Sequence, residues 1–127
     1  MTRSVLLLVA AWCGGTGVYL VVSPGGFHAG IPGVAETGPL NIHFFRDVGL
    51  AFVVSALALG AGAVLRDWRV ALAGAGFPVL HGGLHMAEAV HHGPHGGAGE
   101  LVATVLPGVI ALGAVLRLRD VAVEGAA

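Results

Sequence analysis

Long apolar stretches alternate with short polar or glycine-rich stretches along the whole chain. The apolar segments cover residues 4–22, 44–65, 70–91 and 101–116. A helix needs about 20 apolar residues, within a range of about 17–25, to cross the hydrocarbon core of a bilayer. Three segments reach this length, and the fourth is slightly short of it. The pattern predicts an all-α fold, an up-down bundle of four transmembrane helices that forms one membrane domain over residues 1–127.

The first segment has an alternative interpretation as a cleaved signal peptide, because Arg3 precedes its apolar run. The run continues to Val22, however, and so exceeds the core of about 7–15 residues that is usual in signal peptides. No clear small-x-small cleavage site precedes Ser23 and Pro24. We therefore expect a retained first span, with cleavage as the open alternative.

The positions of the basic residues predict the orientation. If the chain crosses four times, Arg46 lies on one side and the other five arginines lie on the opposite side: Arg3, Arg66, Arg69, Arg117 and Arg119. Basic residues favour the cytoplasmic side of a membrane. This predicts a multi-pass protein of the inner or plasma membrane, with both termini cytoplasmic and with the loops at 23–43 and 93–100 facing outward.

The composition excludes several classes of protein. Hydrophobic residues make up 56% of the chain and charged residues only 10%, whereas soluble domains carry about 25% charged residues. The 6 basic and 7 acidic residues nearly cancel, and no basic run offers a surface for nucleic acid. Cys13 is the only cysteine, so one chain cannot form a disulfide framework or a thiolate metal cage. We expect Cys13 to be a small core residue.

The third segment carries a stripe of ionisable side chains formed by His81, His85, Glu88 and His92. At about 100° per residue, these four positions lie within roughly 60° of one another on a helix. Ionisable groups at membrane depth are costly and usually face a bundle interior or a water-filled cavity. The stripe is therefore the first candidate for a functional site.

The other segments also carry polar side chains toward their predicted outer ends. These are Thr16, Tyr19 and Ser23 in or next to the first segment, His43, Arg46 and Asp47 at the second, and Glu100 and Thr104 at the fourth. Groups this polar avoid lipid, so we expect the stripes to face one another. The prediction is a polar chamber in the outer half of the bundle, with the loop at 23–43 folded over its mouth.

A transition metal ion fits such a chamber, because neutral imidazole binds zinc, copper, iron and nickel. His81 and His85 are one helical turn apart and can place two imidazoles on one ion. Glu88, His43, Asp47 and His92 are the further candidate ligands or orienting groups. No glutamate follows the first histidine as the HExxH metalloprotease motif requires, and the carboxylates are too few for a four-carboxylate di-iron site. We expect copper or zinc before iron.

Three other interpretations stay open. The protein could be a non-catalytic structural subunit of a larger membrane complex, in which the histidines and acids form a structural hydrogen-bond network, since buried polar groups need partners. A b-type haem could take axial histidines from facing helices, such as His43 and His85. The stripe could also pass protons or small solutes. Because no nucleophile–base pair or nucleotide cradle is visible, metal handling or support of a membrane metalloenzyme is favoured over catalysis. Association with other membrane subunits, or with copies of itself, is expected.

The segment NIHFFRDVG, residues 41–49, and the later HGGLH, residues 81–85, resemble small bacterial four-helix membrane proteins of the DoxX-like kind. The resemblance rests on the Arg-Asp-x-Gly opening of the second span and on a histidine within the third. It implies an up-down four-helix fold and an accessory role beside a larger membrane enzyme, and it implies no catalytic residue. This chain has more histidines than that pattern requires, which argues against a purely scaffolding role.

Overall fold

The chain folds almost entirely into helices in a computed structural model that describes residues 1–93 and 95–125. The helices are α1 (Thr2–Val22), α2 (Pro24–Gly30), a short 3-10 helix (Val34–Thr37), α3 (Ile42–Leu65), α4 (Trp68–His92) and α5 (Gly97–Glu124). Within the described part, α1, α3, α4 and α5 are long and apolar enough to cross a membrane. The predicted all-α class is confirmed, and the four helices support a multi-pass membrane protein.

The connection between α3 and α4 is the shortest link between two of the long helices. Arg66 ends α3 in the left-handed conformation, with φ 57°. The Asp67 carboxylate then caps α4 by accepting the backbone N–H groups of Arg69 at 2.8 Å and Val70 at 3.4 Å. Such a side-chain cap satisfies donors that the first helical turn leaves unpaired. The chain therefore reverses over two residues, and α3 and α4 lie antiparallel.

Glycines mark the points where neighbouring helices cross. A Cβ atom on Gly17 of α1 would lie only 2.6 Å from the carbonyl oxygen of Gly49, near the start of α3. A Cβ atom on Gly108 of α5 would lie 2.7 Å from the carbonyl oxygen of Pro78 in α4. Small residues allow this close backbone approach between helices in lipid. Together with the contacts of α3 with α4 and of α1 with α5, these crossings give an up-down bundle in the order α1, α3, α4, α5.

The bundle interior is apolar and consists largely of small side chains. Its fully buried members include Leu6, Cys13, Leu59, Ala71 and Ala111. The expectation that Cys13 is a core residue is confirmed. Many large apolar side chains point outward instead, among them Leu8 at 70% exposed and Leu80 at 75% exposed. An outer surface of this kind suits lipid, which is as apolar as leucine.

The predicted loop at 23–43 contains both α2 and the 3-10 helix. Phe27 of α2 packs edge-on against Tyr19 of α1 and Phe45 of α3, with ring centroids 5.3 and 6.2 Å apart. The His28 ring hydrogen-bonds the Gly38 carbonyl oxygen at 3.0 Å and so ties α2 to the end of this segment. Residues 23–43 thus form an ordered cap across the ends of α1 and α3.

The two ends of the bundle differ in composition. We call the end with the Arg66–Asp67 connection the basic end, because the antiparallel order places five of the six arginines there. The opposite end carries α2 and the turn before α5, and we call it the histidine end. Six histidines lie at or toward it: His28, His43, His85, His91, His92 and His95. His81 lies near the middle of α4.

Candidate histidine–carboxylate site

The interface between α4 and α5 brings ionisable side chains together in the half of the bundle toward the histidine end. Gly82 of α4 makes this possible, because a Cβ atom there would lie 2.9 Å from the Thr104 carbonyl oxygen of α5. The two backbones therefore nearly touch at this level. His81 and His85 flank the crossing on α4, and Glu100 lies in the first turn of α5.

His85 and Glu100 form the central contact of the site. The imidazole Nδ1 lies 2.8 Å from Oε1 of the carboxylate, and the two side chains are only 19% and 12% exposed. The second carboxylate oxygen, Oε2, accepts the backbone N–H of Gly96 at 2.9 Å. Both oxygens of Glu100 are thus engaged. Its place in the first turn of α5 is also favourable, because a helix N-terminus carries partial positive charge.

This contact favours one tautomer of His85. The carboxylate at Nδ1 is an acceptor, so it favours a proton on Nδ1 and leaves the lone pair on Nε2. Thr104 supports the arrangement from α5, since its hydroxyl donates to the Glu100 carbonyl oxygen at 2.8 Å. The result is an imidazole held in a defined orientation with one nitrogen available to a ligand.

His81 is held by aromatic packing. Its ring stacks on Phe77 at a centroid distance of 5.3 Å and an interplanar angle of 17°, and Phe52 of α3 meets it edge-on at 5.4 Å. The rings of His81 and His85 are 4.7 Å apart in an edge arrangement. Over residues 1–93 and 95–125 we find no hydrogen bond to the His81 ring. Its nitrogens are therefore free to bind a ligand without displacing a protein group.

The structure does not bring the other predicted ligands to His81 and His85. Glu88 and His92 lie on exposed positions of α4, closer to its C-terminal end. His43 pairs with Asp47 on the surface of α3 (Nε2–Oδ2 3.4 Å), with side chains 89% and 59% exposed. The histidines of the haem alternative, His43 and His85, thus have different partners. Among the described residues, no group of three or more His, Cys, Asp and Glu side chains is arranged to hold a metal ion.

The convergence of polar stripes predicted from the sequence is confirmed for α4 and α5. Glu100 belongs to the stripe recognised in the fourth segment, but it was missing from the predicted ligand set. Its spacing with Thr104 was the available signal, whereas its distance from His85 depends on how the chain turns between the two helices.

Two polar residues predicted to face the chamber from the other helices have different contacts. Tyr19 of α1 packs on Phe27, and Arg46 of α3 donates from Nε to the Val21 carbonyl oxygen at 3.3 Å.

A segment of the ordered cap lies against the turn that Glu100 holds. Gly33 has φ 84°, and a Cβ atom there would lie 2.9 Å from the carbonyl carbon of His95. A Cβ atom on Gly96 would in turn lie 2.6 Å from the Pro32 carbonyl oxygen. Residues 32–33 therefore lie directly against residues 95–96. The predicted folding of the 23–43 segment over this end of the bundle is confirmed at this contact.

The site therefore consists of two neighbouring imidazoles, one oriented by a carboxylate and one by aromatic rings, beside a turn against which residues 32–33 lie. Comparison with known proteins finds no matching family model, no matching curated protein and no matching solved structure.

Proposed function

We propose that this membrane protein binds a transition metal ion, copper or zinc before iron, through His81 and His85. The His85–Glu100 contact carries the proposal. Metal-binding histidines almost always donate their other ring N–H to a carboxylate, carbonyl or water, which fixes the tautomer and strengthens the ligand. His85 has this arrangement, with Glu100 in the position of the orienting carboxylate.

The spacing of the two rings supports a shared ion. Imidazole nitrogens bind zinc at about 2.0–2.1 Å, so two ligating rings must lie close together. His81 and His85 lie one turn apart, with centroids 4.7 Å from each other. Two imidazoles leave coordination positions for water, a substrate or a partner protein. A site with open positions suits transfer of the ion better than permanent structural binding.

We accordingly propose a role in metal handling or as an accessory subunit of a membrane metalloenzyme. Kinship with DoxX-like membrane proteins is part of this proposal, and the up-down arrangement of four long helices supports it. We further propose that the histidine end faces outward and that both termini are cytoplasmic. The support is the concentration of arginines at the opposite end, since basic residues favour the cytoplasm.

Metal analysis of the purified protein tests the binding site. We expect copper or zinc to remain bound after desalting and to be lost in His81→Ala/His85→Ala. His91→Ala/His92→Ala is the matched control, because it removes two imidazoles from exposed positions of the same helix. Equal metal content in the protein and in the His81→Ala/His85→Ala variant would overturn the proposal. An absorption band of haem in the same sample would favour the b-haem alternative.

Proton passage is the second candidate function, and the chain of contacts from His81 through His85 to Glu100 favours it. Such a series of titratable groups is typical of proton relays within membranes. It predicts proton flux into liposomes that Glu100→Gln abolishes and Glu88→Gln leaves unchanged. Absence of flux in the unmodified protein would eliminate this candidate and leave the metal proposal unaffected.

A further inference from the structure

The seam between α1 and α5 at the basic end of the bundle contains an open groove of about 190 Å³. These two helices contact each other less than the other neighbouring pairs of long helices do. The lining of the groove includes Val5 of α1 and Ile110, Gly113 and Arg117 of α5. It lies far from the histidine–carboxylate site, and that site makes no use of it.

The walls of the groove are apolar and open to the bilayer. Ile110 remains 39% exposed beside it. A Cβ atom built on Gly113 would meet no other atom within 4 Å, so the space above this glycine is unfilled. An apolar groove on the outer surface of a membrane helix pair is in contact with lipid acyl chains.

The end of the groove is positively charged. Arg117 follows Ile110 by seven residues on α5, so both lie on the same face of that helix. The nearest acidic residue along the helix, Asp120, is engaged by Arg119, whose Nη2 lies 2.9 Å from the carboxylate. In the part of the chain that the structure describes, we find no acidic partner within salt-bridge distance of Arg117. Its charge therefore remains available at the mouth of an apolar groove.

We propose that this groove is a binding site for one anionic phospholipid. The acyl chain lies over Gly113 between α1 and α5, and the phosphate pairs with Arg117. An arginine binds phosphate through a planar, bidentate fork. Charge complementarity favours an anionic lipid over a zwitterionic lipid, because no headgroup cation competes with Arg117 for the phosphate, and over another apolar helix, which offers Arg117 no anion. The five arginines at the basic end give it a positive electrostatic potential, which also attracts an anionic headgroup.

Thermal unfolding of the detergent-purified protein, titrated with phosphatidylglycerol or with phosphatidylcholine of the same acyl chains, tests the site. We expect phosphatidylglycerol to raise the unfolding temperature in a saturable manner and phosphatidylcholine to have little effect. Arg117→Gln should weaken the apparent affinity for phosphatidylglycerol by roughly fivefold, the effect of one basic residue near anionic lipid. Gly113→Leu should weaken it as well, because the new side chain fills the groove.

Two variants serve as matched controls. Arg69→Gln removes the same charge at the basic end, next to the connection of α3 and α4 and away from the α1–α5 seam. Gly60→Leu adds the same side chain at another open position, on α3. Both should keep the response to phosphatidylglycerol. If Gly113→Leu fails to fold, the comparison of Arg117→Gln with Arg69→Gln decides the question.

Three results would overturn the proposal. One is equal stabilisation by the two lipids, which would indicate a general lipid effect. The second is an unchanged phosphatidylglycerol response in Arg117→Gln. The third is a loss of oligomers in Gly113→Leu without any change in lipid response, which would identify the groove as an interface between copies of the chain.

Discussion

The α1–α3 and α4–α5 interfaces both depend on a close crossing at glycine, but the two crossings bring different kinds of side chain together. At each one, a glycine allows two backbones to come almost into contact: Gly17 against Gly49 in the first, and Gly82 against Thr104 in the second. Between α1 and α3 the close approach packs apolar side chains such as Leu20 and Val53 against the two glycines. Between α4 and α5 it brings an imidazole and a carboxylate within hydrogen-bond distance.

This difference separates a structural interface from a candidate functional one. Apolar packing between α1 and α3 tolerates any side chains of suitable volume, whereas the α4–α5 contact requires specific donors and acceptors at specific positions. Buried polar groups that lose a partner are costly. A small displacement of helices should therefore affect stability at the first interface and ligand binding at the second.

The largest effect is expected at the α1–α3 crossing. Gly17→Val would force its side chain into the Gly49 carbonyl, 2.6 Å from the new Cβ, with Val53 at 2.9 Å. Overpacking of this kind costs about 3 kcal/mol or more when backbone must move. Thermal unfolding in detergent measures the loss. The control is Gly15→Val on the same helix, where no atom lies within 4 Å of the added Cβ, and equal losses in the two variants would contradict the close-packed crossing.

The second prediction concerns the matching crossing at α4–α5. Gly82→Ala places a Cβ atom 2.9 Å from the Thr104 carbonyl oxygen and must push the helices apart. We expect a loss of about 1–3 kcal/mol in stability, together with loss of bound metal, because His85 and Glu100 separate. Gly83→Ala, at an open neighbouring position, should retain both properties. Metal retention at full occupancy in Gly82→Ala would show that the site does not depend on this crossing.

The third prediction tests the hydrogen-bonding role of Glu100 without changing the packing of α4 on α5. Glu100→Gln keeps the size of the side chain but leaves one acceptor oxygen. With that oxygen on the Gly96 N–H, the amide NH₂ faces Nδ1 of His85 and no longer favours a proton there. Loss of such an orienting group typically lowers metal affinity by about 10–100-fold. Competition titration measures the affinity, and ¹⁵N NMR of the histidine side chains reports the tautomer. Glu88→Gln, at an exposed position, is the control and should change neither.

The smallest effect is expected at the surface pair of α3. His43→Ala removes a contact of 3.4 Å between two highly exposed side chains. Exposed ion pairs contribute little to stability, commonly about 0–1 kcal/mol. We expect unchanged unfolding temperature and unchanged metal content. A loss of metal in this variant would instead place His43 at the binding site, as the sequence interpretation allowed.

Much of the architecture could be predicted from hydropathy alone. The apolar segments correspond to α1, α3, α4 and α5, and the short polar link at Arg66 and Asp67 required an antiparallel reversal. Helix ends were less predictable. The helix α5 runs from Gly97 to Glu124, well beyond the predicted 101–116, because backbone hydrogen bonding continues past the limits of the apolar run.

The candidate site was only partly predictable. Helical periodicity identified His81 and His85 as neighbours on one face, and the same periodicity grouped Glu88 and His92 with them. Only His81 and His85 of this stripe are partly buried, whereas Glu88 and His92, which lie closer to the C-terminal end of α4, are exposed. The actual partner, Glu100, comes from another helix, and its register against α4 depends on the turn between them and on the glycine crossing at Gly82.

The sequence by itself determined the number of long helices, their alternating direction and the segregation of arginines from histidines, because these follow from local hydropathy and chain connectivity. Only the tertiary structure decided which polar side chains meet. Hydrogen bonds act over about 3 Å, and the axial register and rotation of packed helices set such distances. The His85–Glu100 pair exists because two backbones approach at one glycine.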